Sequence, residues 1–193
     1  MRTFIAIELP KEIKEYLARV QNKLKASGAD VKWVEPANIH LTLKFLGEID
    51  ENIKTKVIAS LSEIAAGRDS FIVGLSSIGA FPGIRSPRVI WAGLSLGDED
   101  VKEIAKKIES DLEKIGLAKE DREFSSHITL GRTRSAKNRS ELARMLEDPP
   151  ETQQGPLEFY VSEITFFKST LTPKGPVYEP LHKAILKINQ PVL

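Results

Sequence analysis

Cysteine is absent from this chain of 193 residues, which excludes a disulfide framework, thiolate zinc sites, iron–sulfur clusters and a cysteine nucleophile. Neither sign of charge is in excess. The formal net charge is +1, so a polyanionic partner must be met by local basic clusters rather than a global field. No apolar run approaches the ~20 residues of a membrane helix, and the opening MRTFIAIELPKEIKEYL is too acidic and interrupted for a secretory signal. A cytoplasmic protein with no membrane partner is the expectation. Histidine is also scarce, with three in the chain, so its placement carries information.

Two of those histidines sit in copies of one tetrapeptide, His40-Leu41-Thr42-Leu43 and His127-Ile128-Thr129-Leu130. Because side chains alternate across a strand, the first copy sorts Ile39, Leu41, Leu43 and Phe45 onto a core face and His40, Thr42 and Lys44 onto the other. The second copy sorts Ile128 and Leu130 against His127 and Thr129. Each strand thus projects a His and a Thr two residues apart. If the strands face one another, they make a groove with a histidine on each wall. Such a pair supplies a neutral ring as base and an imidazolium as acid near neutral pH. Two hydroxyls can donate to the non-bridging oxygens of a phosphate. In-line cleavage of a phosphodiester needs one group on each side of phosphorus, which two walls provide. With no acidic residue at ligand spacing and no HExxH, the case for zinc is weak. No metal and no cofactor are expected.

Around the motifs the chain reads as strand, helix, strands, helix, and then a similar series again. Strands are predicted at 3–9, 31–34, 39–46, 70–78, 88–96, 124–131 and 157–168. Three-four spacing predicts helices from Ile13 to a stop at Gly28, from Asp50 to Gly67, from Asp98 to Ile115 and over Ser140–Glu147. The stretch Pro180–Ile188 suits helix by spacing and strand by its β-branched residues; strand is the reading taken. The fold class is α+β: one domain over residues 1–193, in two lobes, with antiparallel sheets and helices on their outer faces. The third histidine, His182, lacks the motif and reads as a surface or packing residue. Basic clusters stand at Arg85-Arg88 and Arg132-Arg134-Lys137-Arg139.

Two His-x-Thr-x motifs half a chain apart resemble the 2H phosphoesterase superfamily, and more narrowly the RNA 2′,3′-cyclic phosphodiesterases, also called 2′-5′ RNA ligases. The narrower likeness rests on Arg2-Thr3-Phe4-Ile5-Ala6-Ile7 with Pro10, on Asn38 through Gly47, on Pro87-Arg88-Val89-Ile90-Trp91-Ala92-Gly93, and on His127 through Arg132. It implies two lobes related by a pseudo-two-fold axis around a central cleft. It also implies hydrolysis of RNA 2′,3′-cyclic phosphate ends to 2′-phosphomonoesters, with 2′-5′ ligation as the reverse reaction and no cofactor. By the same resemblance His40 is the proton donor, His127 the proton acceptor, and Thr42 and Thr129 hold the phosphate. The sequence itself leaves the two histidine roles open. Arg132 is a further candidate phosphate contact: a regular strand turns it into the core, and Gly131 is where that regularity can break. The same parity places Phe45 in the core. Trp33, Phe4 and Trp91 read as packing residues, with contact to a base as the alternative. The partners implied are RNA ends, tRNA fragments among them, or nucleotides, met by a monomer. A phosphodiesterase for small cyclic nucleotides and a non-catalytic RNA- or nucleotide-binding module are the competing readings.

Overall fold

The computed structural model describes residues 1–148, 157–173 and 175–188. In chain order the elements are β1 (Arg2–Glu8), α1 (Lys11–Lys25), β2 (Val31–Trp33), a 3-10 turn (Pro36–Asn38), β3 (His40–Glu48), α2 (Glu51–Ala66), β4 (Phe71–Phe81), β5 (Val89–Leu96), α3 (Asp98–Lys114), β6 (Ile128–Thr133), α4 (Arg139–Glu147), β7 (Glu158–Val161), β8 (Glu163–Thr172) and β9 (Gly175–Ile185). The helices form where apolar residues recur at three-four spacing and bury that stripe. In α1 the buried stripe is Ile13, Leu17, Val20, Gln21 and Leu24; in α3 it is Val101, Ile104, Ala105, Ile108 and Leu112. Asp50 starts α2 by accepting a hydrogen bond from the Ile53 N–H at 2.8 Å. None of the described helices is long and apolar enough to cross a membrane.

The two expected sheets are continuous. Strand order is β7-β4-β5-β6-β3-β1-β8-β9, with β2 also on β6, and every pairing between these strands is antiparallel. The halves meet at β3 and β6 through one residue pair, Leu41 opposite Ile128. Past that pair the strands part, and β2 takes over the free edge of β6, with Trp33 opposite Gly131. The carbonyls at this fork are met by Gln21, almost fully buried, whose amide donates to Val34 O at 2.8 Å and Leu130 O at 2.9 Å. A polar residue inside the α1 stripe is explained by that duty.

The predicted strand over 157–168 divides at Ser162. Its first piece, β7, pairs with β4, and its second, β8, pairs with β1, so one short run touches both halves and the sheet must curl. Leu186 N–H to Ser162 O at 2.9 Å and Ser70 N–H to Lys187 O at 2.8 Å stitch the same region. The C-terminal stretch is strand through Ile185, as expected. His182, a packing residue here, shares a hydrogen bond with Ser62 at 3.0 Å. Helices cover the face that carries Leu41, Leu43, Ile128 and Leu130, all in the main apolar core. The opposite face carries the His and Thr of both motifs.

Replacing Gln21 by Leu leaves the Val34 carbonyl buried without that donor and is expected to cost about 2 kcal/mol. Urea denaturation of the purified variant checks it.

Candidate active site

Leu41 and Ile128 hold the same place in their tetrapeptides, so pairing them antiparallel relates the two motifs by a local two-fold axis. Carried one residue either way, the register sets His40 against Thr129 and Thr42 against His127. All four side chains then lie on the non-core face about a single point, each half-buried.

Both motif strands carry a bulge at the same step. On β3, Thr42 faces Ala6 and Lys44 faces Ile5, which leaves Leu43 without a partner. On β6, Thr129 faces Trp91 and Gly131 faces Ile90, which leaves Leu130 without one. An extra residue reverses the alternation beyond it. Phe45 therefore turns out of the core, where regular alternation predicts it, and is 56% exposed, with its ring 6.1 Å from Phe4. Lys44 turns in and is 3% exposed. On the second strand Gly131 turns in beneath Trp33, where an added Cβ would meet the indole at 2.9 Å, and Arg132 turns out to solvent on the His–Thr face. Antiparallel pairing puts Phe45 and Arg132 at opposite ends of the cleft.

Lys44 is not idle in the core. Its ammonium donates to Glu109 Oε2 of α3 at 2.7 Å and to Ala118 O at 3.0 Å, while the second Glu109 oxygen accepts the Glu120 N–H at 2.7 Å. The bulge of the first motif is thereby tied to the segment that leads into the second.

The histidines are oriented identically. His40 Nδ1 lies 2.7 Å from Asn38 O, and His127 Nδ1 lies 2.7 Å from Ser125 O. A carbonyl only accepts, so each Nδ1 carries the hydrogen and each Nε2 is left for chemistry. Asn38 is itself held by β9, its amide donating to Pro176 O at 2.8 Å. Among the described residues neither Thr42 nor Thr129 spends its hydroxyl on a protein partner, so both are available to an anion.

The surroundings of the two rings differ. His40 lies 4.9 Å from the Phe4 ring and edge-on to Tyr178 at 5.4 Å. Burial lowers its pKa below the ordinary histidine value; the Asn38 carbonyl raises it less, Lys14 lowers it further and Glu8 opposes. A pocket of about 240 Å³ opens beside it, walled by Phe4, Glu8, Lys14, Asn38 and Tyr178 among others. His127 is met edge-on by Phe81 at 5.2 Å, and Phe81 packs on Trp91 at 5.1 Å. Trp91 is thus a packing residue as read, but on the cleft side, lying so close over Gly79 that an added Cβ would come within 2.5 Å of its ring. Phe4 also packs on the cleft side, with Ala6, Phe167 and Tyr178. Phe45, Phe81, Phe167 and Tyr178 are the surroundings that sequence reasoning missed. Only Phe45 lies inside a motif, and a lysine interrupting its apolar face was the available signal. Among the described residues no group of three or more His, Cys, Asp or Glu is placed to hold a metal ion.

Because desolvation disfavours the charged ring, His40 should titrate below pH 6.5. Its lowered pKa also means that stability is present above pH 6.5 and is lost as pH falls through the native value. NMR titration of the imidazole resonances checks the first statement, and Tyr178→Ala, which opens the ring to water, should move the midpoint up towards 6.5.

The sequence profile described as LigT like Phosphoesterase matches the chain twice in succession, over residues 7–91 and 96–178, one motif in each stretch. A protein of Methanocaldococcus jannaschii named RNA 2′,3′-cyclic phosphodiesterase is 40% identical over 179 residues, covering 93% of this chain and 97% of that protein. One of the same name from Methanothermobacter thermautotrophicus is 32% identical over 178 residues, covering 92% and 95%. Among solved structures, a Thermus thermophilus protein superposes with a TM-score of 0.79 at 30% identity, covering 98% of this chain and all of that one. The E. coli LigT structure complexed with 3′-AMP superposes at 0.75 and 26% identity, covering 96% and 97%. With the duplicated motif, the curled sheet and these matches in agreement, the chain belongs to the LigT-like phosphoesterase family.

Proposed function

We propose that this phosphoesterase hydrolyses the 2′,3′-cyclic phosphate at RNA ends to a 2′-phosphomonoester, using His40 and His127 as the proton-transfer pair and no metal or nucleotide cofactor. The substrate class comes from the names of its relatives, RNA 2′,3′-cyclic phosphodiesterases. The observation that carries the mechanism is the matched pair of Nδ1–carbonyl bonds, which leaves two Nε2 atoms beside two uncommitted threonine hydroxyls on one face.

A water oxygen bonds to phosphorus and its proton passes to His127 Nε2; the bond from phosphorus to O3′ breaks and O3′ takes a proton from His40 Nε2. The product is a 2′-phosphate with a free 3′-hydroxyl. Thr42 and Thr129 donate to the non-bridging oxygens, where charge builds during transfer. In the free protein burial favours the neutral His40 ring. The donor role asks for its imidazolium, and the negative charge of a bound cyclic phosphate favours that form. Ligation is this same forward step with a 5′-hydroxyl in place of water, not its reverse: the 5′ oxygen bonds to phosphorus and its proton passes to His127, O3′ leaves with a proton from His40, and a 2′-5′ linkage results. The exposed Phe45 ring at one end of the cleft offers a face on which the terminal base can stack.

On an oligonucleotide with a 2′,3′-cyclic phosphate end, the expected product is the 2′-phosphomonoester, formed at full rate in EDTA. His40→Ala and His127→Ala should each lower kcat by roughly 10²–10⁴ while leaving the circular dichroism spectrum intact. A 3′-phosphate product, or full activity in either variant, contradicts the mechanism. Phe45→Ala should raise KM by roughly tenfold or more, at ~1–3 kcal/mol per stacked base, with kcat retained.

A further inference from the structure

We propose that Lys32 on β2, together with Arg132 on β6, forms a second anion subsite that holds an internucleotide phosphate of the RNA chain, so that the enzyme reads beyond the terminal cyclic phosphate. The inference rests on the cyclic-phosphate reading above and extends it to the rest of the substrate.

Lys32 and Arg132 are directly opposite in the antiparallel β2–β6 pair. Cross-strand partners share a face. The neighbouring pair, Trp33 and Gly131, lies on the core side, with the indole against the glycine and Trp33 packed on the main core, so Lys32 and Arg132 are on the other side, that of Thr129. The bulge at Leu130–Gly131 is what brings Arg132 there. Both side chains are exposed, and neither is ion-paired to an acidic side chain among the described residues. Like charges directly opposite on a strand pair repel. Some surface cations of the chain carry acidic partners, Lys102 with Asp98 and Lys183 with both Glu8 and Glu163 among them; Lys32 and Arg132 instead face each other. An anion shared between Lys32 and Arg132 removes the repulsion.

Position selects the anion. Through the bulge, Arg132 lies two register steps beyond Thr129, opposite Val89 rather than Trp91, roughly 7 Å along the strand, which sets the Lys32–Arg132 pair beside the phosphate held by the two threonines rather than over it. One nucleotide spans that interval. The cation pair and the Phe45 ring are at opposite ends of the cleft, so a strand lying in it meets a stacking surface at one end and positive charge at the other. With a net charge of only +1, such a local pair is what distinguishes a chain with several phosphates from a single nucleotide.

The test compares Lys32→Ala with wild type on 2′,3′-cyclic AMP and on a trinucleotide that ends in the same cyclic phosphate. The trinucleotide-to-mononucleotide ratio of kcat/KM should fall about tenfold in the variant. The slope of log(kcat/KM) against log salt on the trinucleotide should shrink by about 0.7, the loss of one single-strand phosphate contact. An unchanged ratio, whether both substrates are affected equally or neither is, overturns the subsite. If wild type opens neither substrate, the catalytic reading has failed, and the subsite is then decided by fluorescence anisotropy with a labelled trinucleotide 2′-phosphate. Weaker binding to Lys32→Ala with a reduced salt slope supports it; equal binding overturns it.

Discussion

One antiparallel residue pair organises this molecule. Leu41 and Ile128 occupy equal places in two copies of a tetrapeptide, and their pairing is the only one that joins β3 to β6 among the described residues. An antiparallel pair of equivalent positions has a two-fold axis through it, so the flanking His and Thr of each copy are carried onto a common point. Joining the strands at a single pair also lets them diverge on either side. The fork that results is lined by Gln21 and β2 on one flank, and β2 in turn sets Lys32 opposite Arg132.

Symmetry governs the centre of the site and stops there. The bulges at Leu43 and Leu130 recur at one step of the two motifs, but the residues they redirect differ. In the first half the inward residue is a lysine bound to Glu109 and the outward one is phenylalanine; in the second they are glycine beneath an indole and arginine. A duplicated frame thus presents an aromatic surface at one end of the cleft and a cationic surface at the other. The histidines share their Nδ1 anchoring while the aromatic shell of His40 is the more enclosing, which lowers its pKa. In the proposed acid–base pair both rings aim Nε2 at the reacting centre; burial alone favours the neutral His40 ring, so its donor role depends on the negative charge of the bound phosphate.

The parts of this arrangement that follow from local periodicity are the parts that could be read from the sequence. The alternation of His-Leu-Thr-Leu sorts the His and Thr side chains from the core ones because a strand has period two, and the stripes of α1 and α3 follow from a period near 3.6. Phe45 escaped because a bulge is a backbone event with no residue signature, and its visible trace was a charged residue in an apolar strand. The burial of Lys44 depends on Glu109, 65 residues away in sequence, which no local pattern records. The division of 157–168 at Ser162 depends on which strands flank each piece, and nothing local to that run records it. Tyr178 reaches His40 from the far edge of the sheet, a contact fixed by the curl alone. Arg132 lay between these cases: Gly131 marked the break, and the direction of the turn came from the register.

If the two halves act on one phosphate as a unit, a double-mutant cycle measures that coupling directly. With kcat determined on a 2′,3′-cyclic phosphate oligonucleotide for His40→Ala, His127→Ala and the double variant, strong non-additivity is expected, the double variant losing little more than the worse single variant. Additive losses, with the double variant slower by the product of the two single effects, would contradict a shared centre.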